Sequence, residues 1–252
     1  MILVTGASGF IGANLVLRLN QRGVRDIIAV DNLTKSDKFR NLVHGQIGDY
    51  LDKTQLLERL DALPALEAIF HQGACSDTME SDGRYMMENN FRFSLALFQF
   101  AQKRRIPFIY ASSAATYGDG EQGFDDDGSV EALKRLRPMN LYGWSKHLFD
   151  LAVAERAARG AKLPPHWAGL KFFNVFGPNE YHKGPMMSVL AKVFGDVKAG
   201  KTVHLFKSHR AGITDGDQRR DFISVDDVVR VIQWLLASPG VNGIFNVGTG
   251  TA

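Results

Sequence analysis

The glycine-rich turn TGASGFIG, which begins at Thr5, constrains the fold more than any other segment. A short β-branched run, Ile2–Thr5, leads into the turn, and residues 9–22 then repeat apolar positions at helical spacing. A second strand pattern follows at residues 27–30 and is closed by Asp31. Strand, glycine turn, helix and strand in this order predict a βαβ unit.

Three glycines in this turn have distinct mechanical tasks in a dinucleotide-binding unit. Gly6 serves the tight turn, Gly9 lets the backbone approach a pyrophosphate, and Gly12 lets the helix pack closely on the strand. The N-terminus of the helix directs free N–H groups at the anion. The strand before, the helix after and the acid at the end of the second strand together favour a dinucleotide site over a chance glycine triplet.

The choice between NAD and NADP stays open at this level. Asp31 by default holds the two ribose hydroxyls of NAD and repels a 2′-phosphate. Three nearby lysines, Lys35, Lys38 and Lys53, are able to offset that repulsion.

Composition excludes several function classes. A chain of 252 residues, 45% hydrophobic and with a net charge of +3, is typical of a globular protein and has no basic block dense enough to favour nucleic acid. No apolar stretch has the length of a membrane helix. The single cysteine, Cys75, rules out an intrachain disulfide, and without a recognisable secretory signal we expect a cytoplasmic protein. No metal site is predicted.

Strand and helix patterns alternate through the middle of the chain. Residues 68–71 and 108–111 are typical of buried strands, and residues 84–105 and 140–159 of helices. This alternation predicts an α/β fold with a doubly wound parallel sheet of the Rossmann type. Ligands of such sheets lie beyond the carboxyl ends of the strands, where we place QGACS (72–76), SSAATYG (112–118) and FNVFGP (173–178).

A tyrosine and a lysine four residues apart lie on the second of these helices. Tyr142 and Lys146 share one helical face. A free tyrosine has a pKa near 10, and we expect a neighbouring ammonium to lower it, which makes the pair a general acid/base. The lysine is also free to hold a nicotinamide ribose, and Ser113 at a strand end can hydrogen-bond the same substrate oxygen. The bland alternative is a solvated helix face, which the dinucleotide fold and the serine disfavour.

Several motifs together carry a family resemblance over nearly the whole chain. TGASGFIG, SSAATYG and YGWSK resemble the extended short-chain dehydrogenase/reductase superfamily, which modifies nucleotide-linked sugars. VDNLTKSDKF, FHQGACSDT, YMMENN, FNVFGPNEYHKG and RRDF resemble its sugar-nucleotide epimerase branch. The resemblance implies epimerisation at C6 of a heptose linked to ADP, in lipopolysaccharide core precursor synthesis. It also implies a nucleotide-sugar substrate and a homo-oligomer, with no nucleic acid and no membrane as partners.

The resemblance further assigns residues. It implies NADP rather than NAD, with Asn32 and Lys38 accepting the 2′-phosphate despite Asp31. The implied cofactor-binding residues are Gly6, Gly9, Phe10, Ile11, Gly12, Asp31, Asn32, Lys38, Lys53, Gln72, Gly73, Ala74, Cys75, Ser76, Asn89, Lys146, Val175 and Lys183. The implied substrate-binding residues are Ser113, Asn174, Pro185, Lys192, Phe206, Lys207, Ser208, His209 and Arg220. A guanidinium such as that of Arg220 suits bidentate recognition of a diphosphate.

Epimerisation through a ketone needs a proton donor for each of two substrate poses, because a donor acts only within hydrogen-bond reach. Tyr142 serves one pose. Lys183, on a loop after a rim strand, is the candidate for the other, and the resemblance gives the lysine of HKG that role. Burial would lower its pKa towards the working range. The alternative is a solvated loop lysine or a phosphate contact. The predicted catalytic residues are therefore Ser113, Tyr142, Lys146 and Lys183.

Two features depart from the family pattern. HKGP stands where HKGS is commoner, so Pro185 removes a hydroxyl and an N–H, and the polar loop 207–219 is longer than in some members. The chain stops at FNVGTGTA, where the family continues for several tens of residues. We therefore expect residues 1–175 and 223–247 to form the cofactor domain, and 176–222 with 248–252 to form a C-terminally incomplete substrate lobe.

Three alternatives remain. A sugar-nucleotide 4-epimerase would have no reason for Lys183. A 4,6-dehydratase needs an acid/base pair beside the catalytic serine, where Ala114, Ala115 and Thr116 stand instead. A non-catalytic NADP sensor has no need of Ser113, Tyr142 and Lys146.

Overall fold

A computed structural model of the protein describes residues 1–34, 36–209 and 212–252. Lys35, named above as one of three cations beside Asp31, lies outside the described residues. So do two residues of the polar loop 207–219, at positions 210 and 211. Among the described residues, no helix has the length and apolar character needed to span a bilayer.

A seven-stranded parallel sheet forms the centre of the molecule, in the order β3-β2-β1-β4-β5-β6-β9. The inner strands are buried along most of their length, as parallel strands covered by helices on both faces must be. The strands of this sheet are β1 (Ile2–Thr5), β2 (Ile27–Asp31), β3 (Asp49–Asp52), β4 (Ala68–His71), β5 (Phe108–Ser113), β6 (Trp167–Phe172) and β9 (Gly243–Val247). The predicted Rossmann-type fold class is confirmed.

Helices cover both faces of the sheet and divide the core in two. One apolar cluster packs α1 and α8 against the sheet, and a second packs α2, α4 and α6 against the opposite face. The α-helices are α1 (Phe10–Gln21), α2 (Lys53–Arg59), α3 (Gly83–Met87), α4 (Phe93–Arg104), α5 (Val130–Arg135), α6 (Leu141–Ala158), α7 (Val189–Lys198) and α8 (Val225–Leu236). Short 3₁₀ turns span Ser36–Asn41, Leu60–Ala62, Ala114–Tyr117 and Tyr181–Met186.

The helix predicted over residues 84–105 contains an irregular turn. A π-helical turn, Glu88–Arg92, joins α3 to α4. Asn90 is fully buried in this turn and clamps the segment after β4, because its side chain donates to the Cys75 carbonyl (2.8 Å) and accepts from the Cys75 N–H (2.8 Å). Single π turns of this kind occur frequently at functional sites.

A second, two-stranded sheet lies beside the carboxyl edge of the large one. β7 (Asn174–Phe176) pairs in parallel with β8 (Phe222–Ser224). The Asn174 backbone N–H donates to the Asp221 carbonyl at 3.0 Å, and the buried Asp221 carboxylate accepts from the Thr249 and Gly250 N–H groups, each at 2.9 Å. The chain therefore leaves the large sheet after Phe172 and returns to it in β9, just before residue 249. The division into two lobes proposed above stays a prediction.

The strand order of the large sheet indicates where a ligand would bind. β1 pairs with β2 on one side and with β4 on the other, so the connections leave β1 in opposite directions. The connections that follow β1 and β4 run in opposite directions from this switch point, which is the usual ligand position in such a sheet.

Candidate active site

One cavity of about 2030 Å³ occupies the carboxyl edge of the sheet. All of the cofactor-binding residues predicted above line it, as do Ser113, Tyr142, Lys146 and Lys183. The predicted substrate residues line it too, except Lys192, whose ammonium donates to the Pro185 carbonyl at 2.5 Å. Segments separated by as many as 217 residues in the chain, from Thr5 to Phe222, therefore meet around a single space.

The glycine turn at the base of the cavity allows no side chain at two positions. A Cβ on Gly12 would lie 2.1 Å from the Gly6 carbonyl oxygen. Gly6 has a φ of +67°, and a Cβ there would lie 2.7 Å from the Cα of Gly73. Helix α1 begins after Gly9 with no side-chain cap, which leaves its first N–H groups free for an anion.

Asp31 is already neutralised within the protein. Its carboxylate accepts from the N–H of Ser8 at 2.8 Å and forms an ion pair with Lys38 at 2.5 Å. Lys38 also donates to the Asn32 carbonyl at 3.2 Å. An ammonium paired with this carboxylate reduces the repulsion that an unpaired aspartate would exert on an anion nearby.

Two further polar side chains, Gln72 and Lys53, line the same cavity. Among the described residues, neither the amide nitrogen nor the amide oxygen of Gln72 has a hydrogen-bond partner, although both atoms are buried. On the opposite wall, Lys53 donates to the side chain of Asn89 in the π turn and lies 5.4 Å from the ring centroid of Tyr85. The unpaired buried amide of Gln72, the two turn glycines that exclude a side chain and the neighbouring lysines together fit a dinucleotide.

The N-terminus of α6 is held tightly against the turn after β5. The Asn140 side chain caps the helix by accepting from the Gly143 N–H at 2.7 Å. A Cβ on Gly143 would lie 2.6 Å from the Ala115 carbonyl oxygen, so the helix and the turn are in backbone contact. Tyr142, at this end of the helix, hydrogen-bonds the Ser113 hydroxyl, a contact that opposes the rise in the Tyr142 pKa caused by burial.

The net direction of the Tyr142 pKa differs from our expectation. Burial raises the pKa of Tyr142, and the Ser113 hydrogen bond only partly opposes this. Lys146 does not reverse the shift; burial lowers the pKa of Lys146 itself to about 8, against the influence of Asp150. The Lys146 ammonium donates to the Ala111 carbonyl at 2.9 Å. The predicted lowering of the Tyr142 pKa by Lys146 is therefore wrong here, because desolvation of the buried phenol outweighs the hydrogen bond to Ser113, which is the group that favours a lower value.

A buried carboxylate lies one turn behind Lys146. Asp150 is fully buried and accepts from the Tyr110 hydroxyl (3.0 Å) and the Ser112 hydroxyl (2.6 Å). Burial raises the pKa of Asp150, and Lys171 on β6 and Lys146 oppose it. The carboxylate thus ties α6 to β5 and compensates two buried ammonium groups.

Lys183 reaches the cavity from the 3₁₀ turn that follows β7. Its ammonium lies 5.3 Å from the ring centroid of Phe10, which opens α1. Burial lowers the pKa of Lys183, Glu180 opposes that shift, and Lys192 adds to it. The expected direction is confirmed. Gly184 reverses the chain with a φ of +54°, a conformation that side-chain-bearing residues rarely adopt.

The side chain of Asn41 links the Lys183 turn to the dinucleotide turn. The Asn41 amide lies within hydrogen-bond distance of the Ser8 carbonyl (2.9 Å), the Asn179 carbonyl (3.1 Å) and His182 Nδ1 (3.0 Å). Asn41 therefore couples the two halves of the site.

The remaining predicted substrate residues lie on the outer part of the cavity. Asn174 donates its amide to the Asp221 carbonyl at 3.1 Å. Pro185 and Arg220 are exposed, as is most of the segment 206–209, which lies in irregular structure. In the described part of the chain, no group of three or more histidine, cysteine or acidic side chains is arranged to hold a metal.

Cys75 is poorly suited to act as a nucleophile. It is partly buried, and burial raises the pKa of its thiol, which disfavours the thiolate.

The fold and this site define a family. Residues 2–248 match the model of the NAD dependent epimerase/dehydratase family, to which the chain therefore belongs. The cofactor of the site is accordingly a nicotinamide dinucleotide.

Individual relatives narrow the comparison. The chain is 52% identical over 252 residues to the ADP-L-glycero-D-manno-heptose-6-epimerase of Thiobacillus denitrificans, covering 98% of this chain and 73% of the relative. Its structure is similar to the crystal structure of the Helicobacter pylori protein of the same name, with a TM-score of 0.79, 29% identity and coverage of 98% and 76%. It is also similar to a Thermus thermophilus UDP-glucose 4-epimerase solved with NAD, with a TM-score of 0.73, 28% identity and coverage of 99% and 78%.

Some supporting residues were not anticipated from the sequence. Asn41, Asn90, Asp150 and Glu180 each hold a site segment in place. Asp150 lies four residues after Lys146 on the same helical face, and that spacing was the available signal. Asn41 and Glu180 lie in turns without periodicity, so no sequence pattern indicated them.

Proposed function

We propose that the protein interconverts ADP-D-glycero-D-manno-heptose and ADP-L-glycero-D-manno-heptose by epimerisation at C6, with bound NADP, in the synthesis of lipopolysaccharide core precursors. The observation that carries this proposal is the presence of Tyr142 and Lys183 on the walls of one cavity, from segments 41 residues apart in the chain. Relatives that bear this activity in their names support it.

When bound, the nicotinamide supplies reversible oxidation of the C6 alcohol. The residues of this chain manage the proton on the substrate oxygen. In one pose Tyr142 takes the hydroxyl proton and later returns it, with Ser113 holding the same oxygen by hydrogen bond. Lys146 lies one helical turn further along on the same face and is available to hold the nicotinamide ribose.

In the second pose the carbonyl oxygen must find a donor elsewhere, because a single donor reaches only one side. Lys183 is placed for this task. Burial brings its pKa below the ordinary lysine value, so the ammonium gives up a proton more readily than a solvated lysine would. A 4-epimerase that inverts with Tyr142 alone would leave this partly buried ammonium without a task.

We propose NADP rather than NAD on the geometry of Asp31. Its ion pair with Lys38 cancels the charge that would reject a 2′-phosphate, and Asn32 lies beside it. Extraction of the cofactor from purified protein, followed by chromatography, tests the choice. NADP in excess over NAD supports it, and NAD in excess rejects it.

A further part of the proposal concerns the assembly and location: a homo-oligomer in the cytoplasm. Sedimentation of the purified protein tests the first, and cell fractionation the second. A monomer at every concentration, or a membrane-bound pool, would contradict these two statements.

Incubation with each ADP-heptose epimer tests the function. The configuration at C6 is followed by NMR, with UDP-glucose as the comparison substrate. We expect both epimers to reach the same mixture and UDP-glucose to stay unchanged. Conversion of UDP-glucose at C4 would favour the 4-epimerase, and binding of NADP without conversion of any sugar would favour a sensor.

A further inference from the structure

Glu180 is a buried carboxylate held by neutral donors. Its side chain is 1% exposed and accepts from the Gly177 N–H at 3.2 Å, the Ser188 N–H at 2.7 Å and the Ser188 hydroxyl at 2.8 Å. Burying an ionised carboxylate is costly unless hydrogen bonds or an opposite charge compensate it. The three donors supply part of that compensation and leave the negative charge itself in place.

These hydrogen bonds close a loop. Gly177 lies at its beginning, Ser188 at its end, and Lys183 near its middle. The backbone N–H of Lys183 also donates to the Glu180 carbonyl at 3.0 Å. Ser188 also fixes the start of α7, because its hydroxyl accepts from the Ala191 N–H at 3.1 Å and caps that helix. Glu180 therefore joins both ends of the segment that carries Lys183.

Within the described ranges, the other groups that act on Lys183 carry no negative charge. The Phe10 ring covers it from α1, and Lys192 faces it from α7. His182 precedes it, and burial together with Lys38 and Lys183 lowers the pKa of that imidazole, which favours its neutral form.

The carboxylate of Asp31 does not supply a negative charge to Lys183. Asp31 reaches His182 only weakly and is itself paired with Lys38. Glu180 is the acidic group that raises the pKa of Lys183 against burial and against Lys192.

We propose that Glu180 is a positioning residue for Lys183, which closes the loop 177–188 and supplies the negative charge that favours the ammonium form. The inference rests on the proposed function, since a donor on the second side of the substrate must carry a proton when the carbonyl arrives. A lysine among further cations without this carboxylate would be neutral over more of the working pH range and would donate less often.

A direct titration of Lys183 tests the inference without any substrate. Reductive methylation of the protein with ¹³C-formaldehyde places an NMR label on each lysine, and Lys183→Arg identifies the resonance of Lys183. In Glu180→Gln, which keeps the shape of the side chain and removes its charge, we expect the Lys183 pKa to fall by about half a unit or more. Glu155→Gln, on the outer face of α6, is the matched control and should leave it unchanged. An unmoved Lys183 resonance in Glu180→Gln overturns the proposed charge role.

A second variant separates charge from shape and keeps the proposal testable if Glu180→Gln folds poorly. Glu180→Asp retains the charge but shortens the side chain, so the Lys183 pKa should stay closer to that of the native protein. Amide hydrogen exchange over 181–186 should accelerate in Glu180→Asp, because the Ser188 hydrogen bonds are lengthened. Unchanged exchange in that segment would contradict the loop-closing role, and a pKa below the native value by half a unit would contradict the charge role.

The outcome is independent of the proposed function. If the Lys183 pKa falls in Glu180→Gln and the native protein converts no ADP-heptose, the epimerase proposal fails and the positioning role stands. If the native protein epimerises the sugar and the pKa does not move, the positioning role fails by itself.

Discussion

The two walls of the active site are built in different ways. Tyr142 and Lys146 lie on an 18-residue helix that packs against the sheet, and backbone contact between Gly143 and Ala115 fixes the start of that helix. Lys183 lies on a 3₁₀ turn without buried residues, and hydrogen bonds to Glu180 and Asn41 hold it. One proposed acid/base group is therefore anchored by the core, and the other by polar contacts at the edge of the cavity.

This difference extends to charge. Burial raises the pKa of Tyr142, whereas it lowers the pKa of Lys183, because in each case the charged form is the one that loses solvation. Each group has a polar neighbour that opposes the shift: Ser113 for the phenol and Glu180 for the ammonium. On both walls, therefore, burial shifts the pKa of the acid/base group and one polar neighbour opposes the shift. Variants on either wall test this comparison.

The largest effect is expected on the helix side. Tyr142→Phe removes the phenolic proton and should reduce kcat by roughly a thousandfold, within the usual range of acid/base catalysis. Bound NADP should remain, because the ring still fills its position. Steady-state kinetics and cofactor absorbance measure the two quantities. Turnover equal to that of the native protein would remove Tyr142 from the mechanism.

The loop side should show a smaller but still large loss. Lys183→Met keeps an apolar stem and removes the ammonium, and kcat should fall by at least about a hundredfold. Lys198→Met, at the exposed end of α7, is the control and should leave kcat unchanged. A loss below about threefold for Lys183→Met, measured with the same assay, would reduce that lysine to a binding contact.

The free energy of unfolding should depend on pH through Lys146, on the helix side of the site. The pKa of Lys146 is about 8 in the folded protein, below its ordinary value of 10.5. Between these two values the unfolded state binds more protons, so the free energy of unfolding should rise as pH increases from about 8 to 10.5. The rise should be smaller in Lys146→Met, by no more than about 3 kcal/mol.

Urea unfolding at several pH values measures this dependence. Parallel curves for the native protein and Lys146→Met would contradict the assigned cause.

The smallest effect should come from Asn41, which joins the Lys183 turn to the dinucleotide turn. Asn41→Ala removes the amide that joins Ser8, Asn179 and His182, each bond contributing about 1 kcal/mol. We expect roughly five- to tenfold lower kcat and faster amide exchange in 179–186, with exchange in α6 unchanged. Faster exchange in both segments would show that the walls are not separately anchored.

Sequence patterns predicted the inner parts of the molecule well. The glycine turn, the strand ends and the Tyr142–Lys146 spacing arise from local rules of φ, periodicity and helix geometry, so they are readable along the chain. β3 was not predicted, because DYLD alternates too few apolar residues to indicate an edge strand. The π turn at 88–92 was also missed, since it has no distinct residue pattern.

The supporting polar contacts were beyond sequence reasoning for a physical reason. Asn41 and Glu180 act across the fold, on partners that their neighbours in sequence do not indicate. The direction of the Tyr142 pKa depends on how far the phenol is desolvated, a property of the assembled cavity rather than of the YxxxK spacing. The family resemblance identified residues that line the cavity, but not those that hold them.

Epimerisation carried out in D₂O tests the central claim most directly. A single ADP-heptose epimer is incubated with the protein, and both the configuration at C6 and the hydrogen on C6 are followed by NMR. If Tyr142 and Lys183 exchange protons only with the substrate oxygen, C6 should invert and keep its original hydrogen. Deuterium at C6, or no inversion at all, would contradict the account.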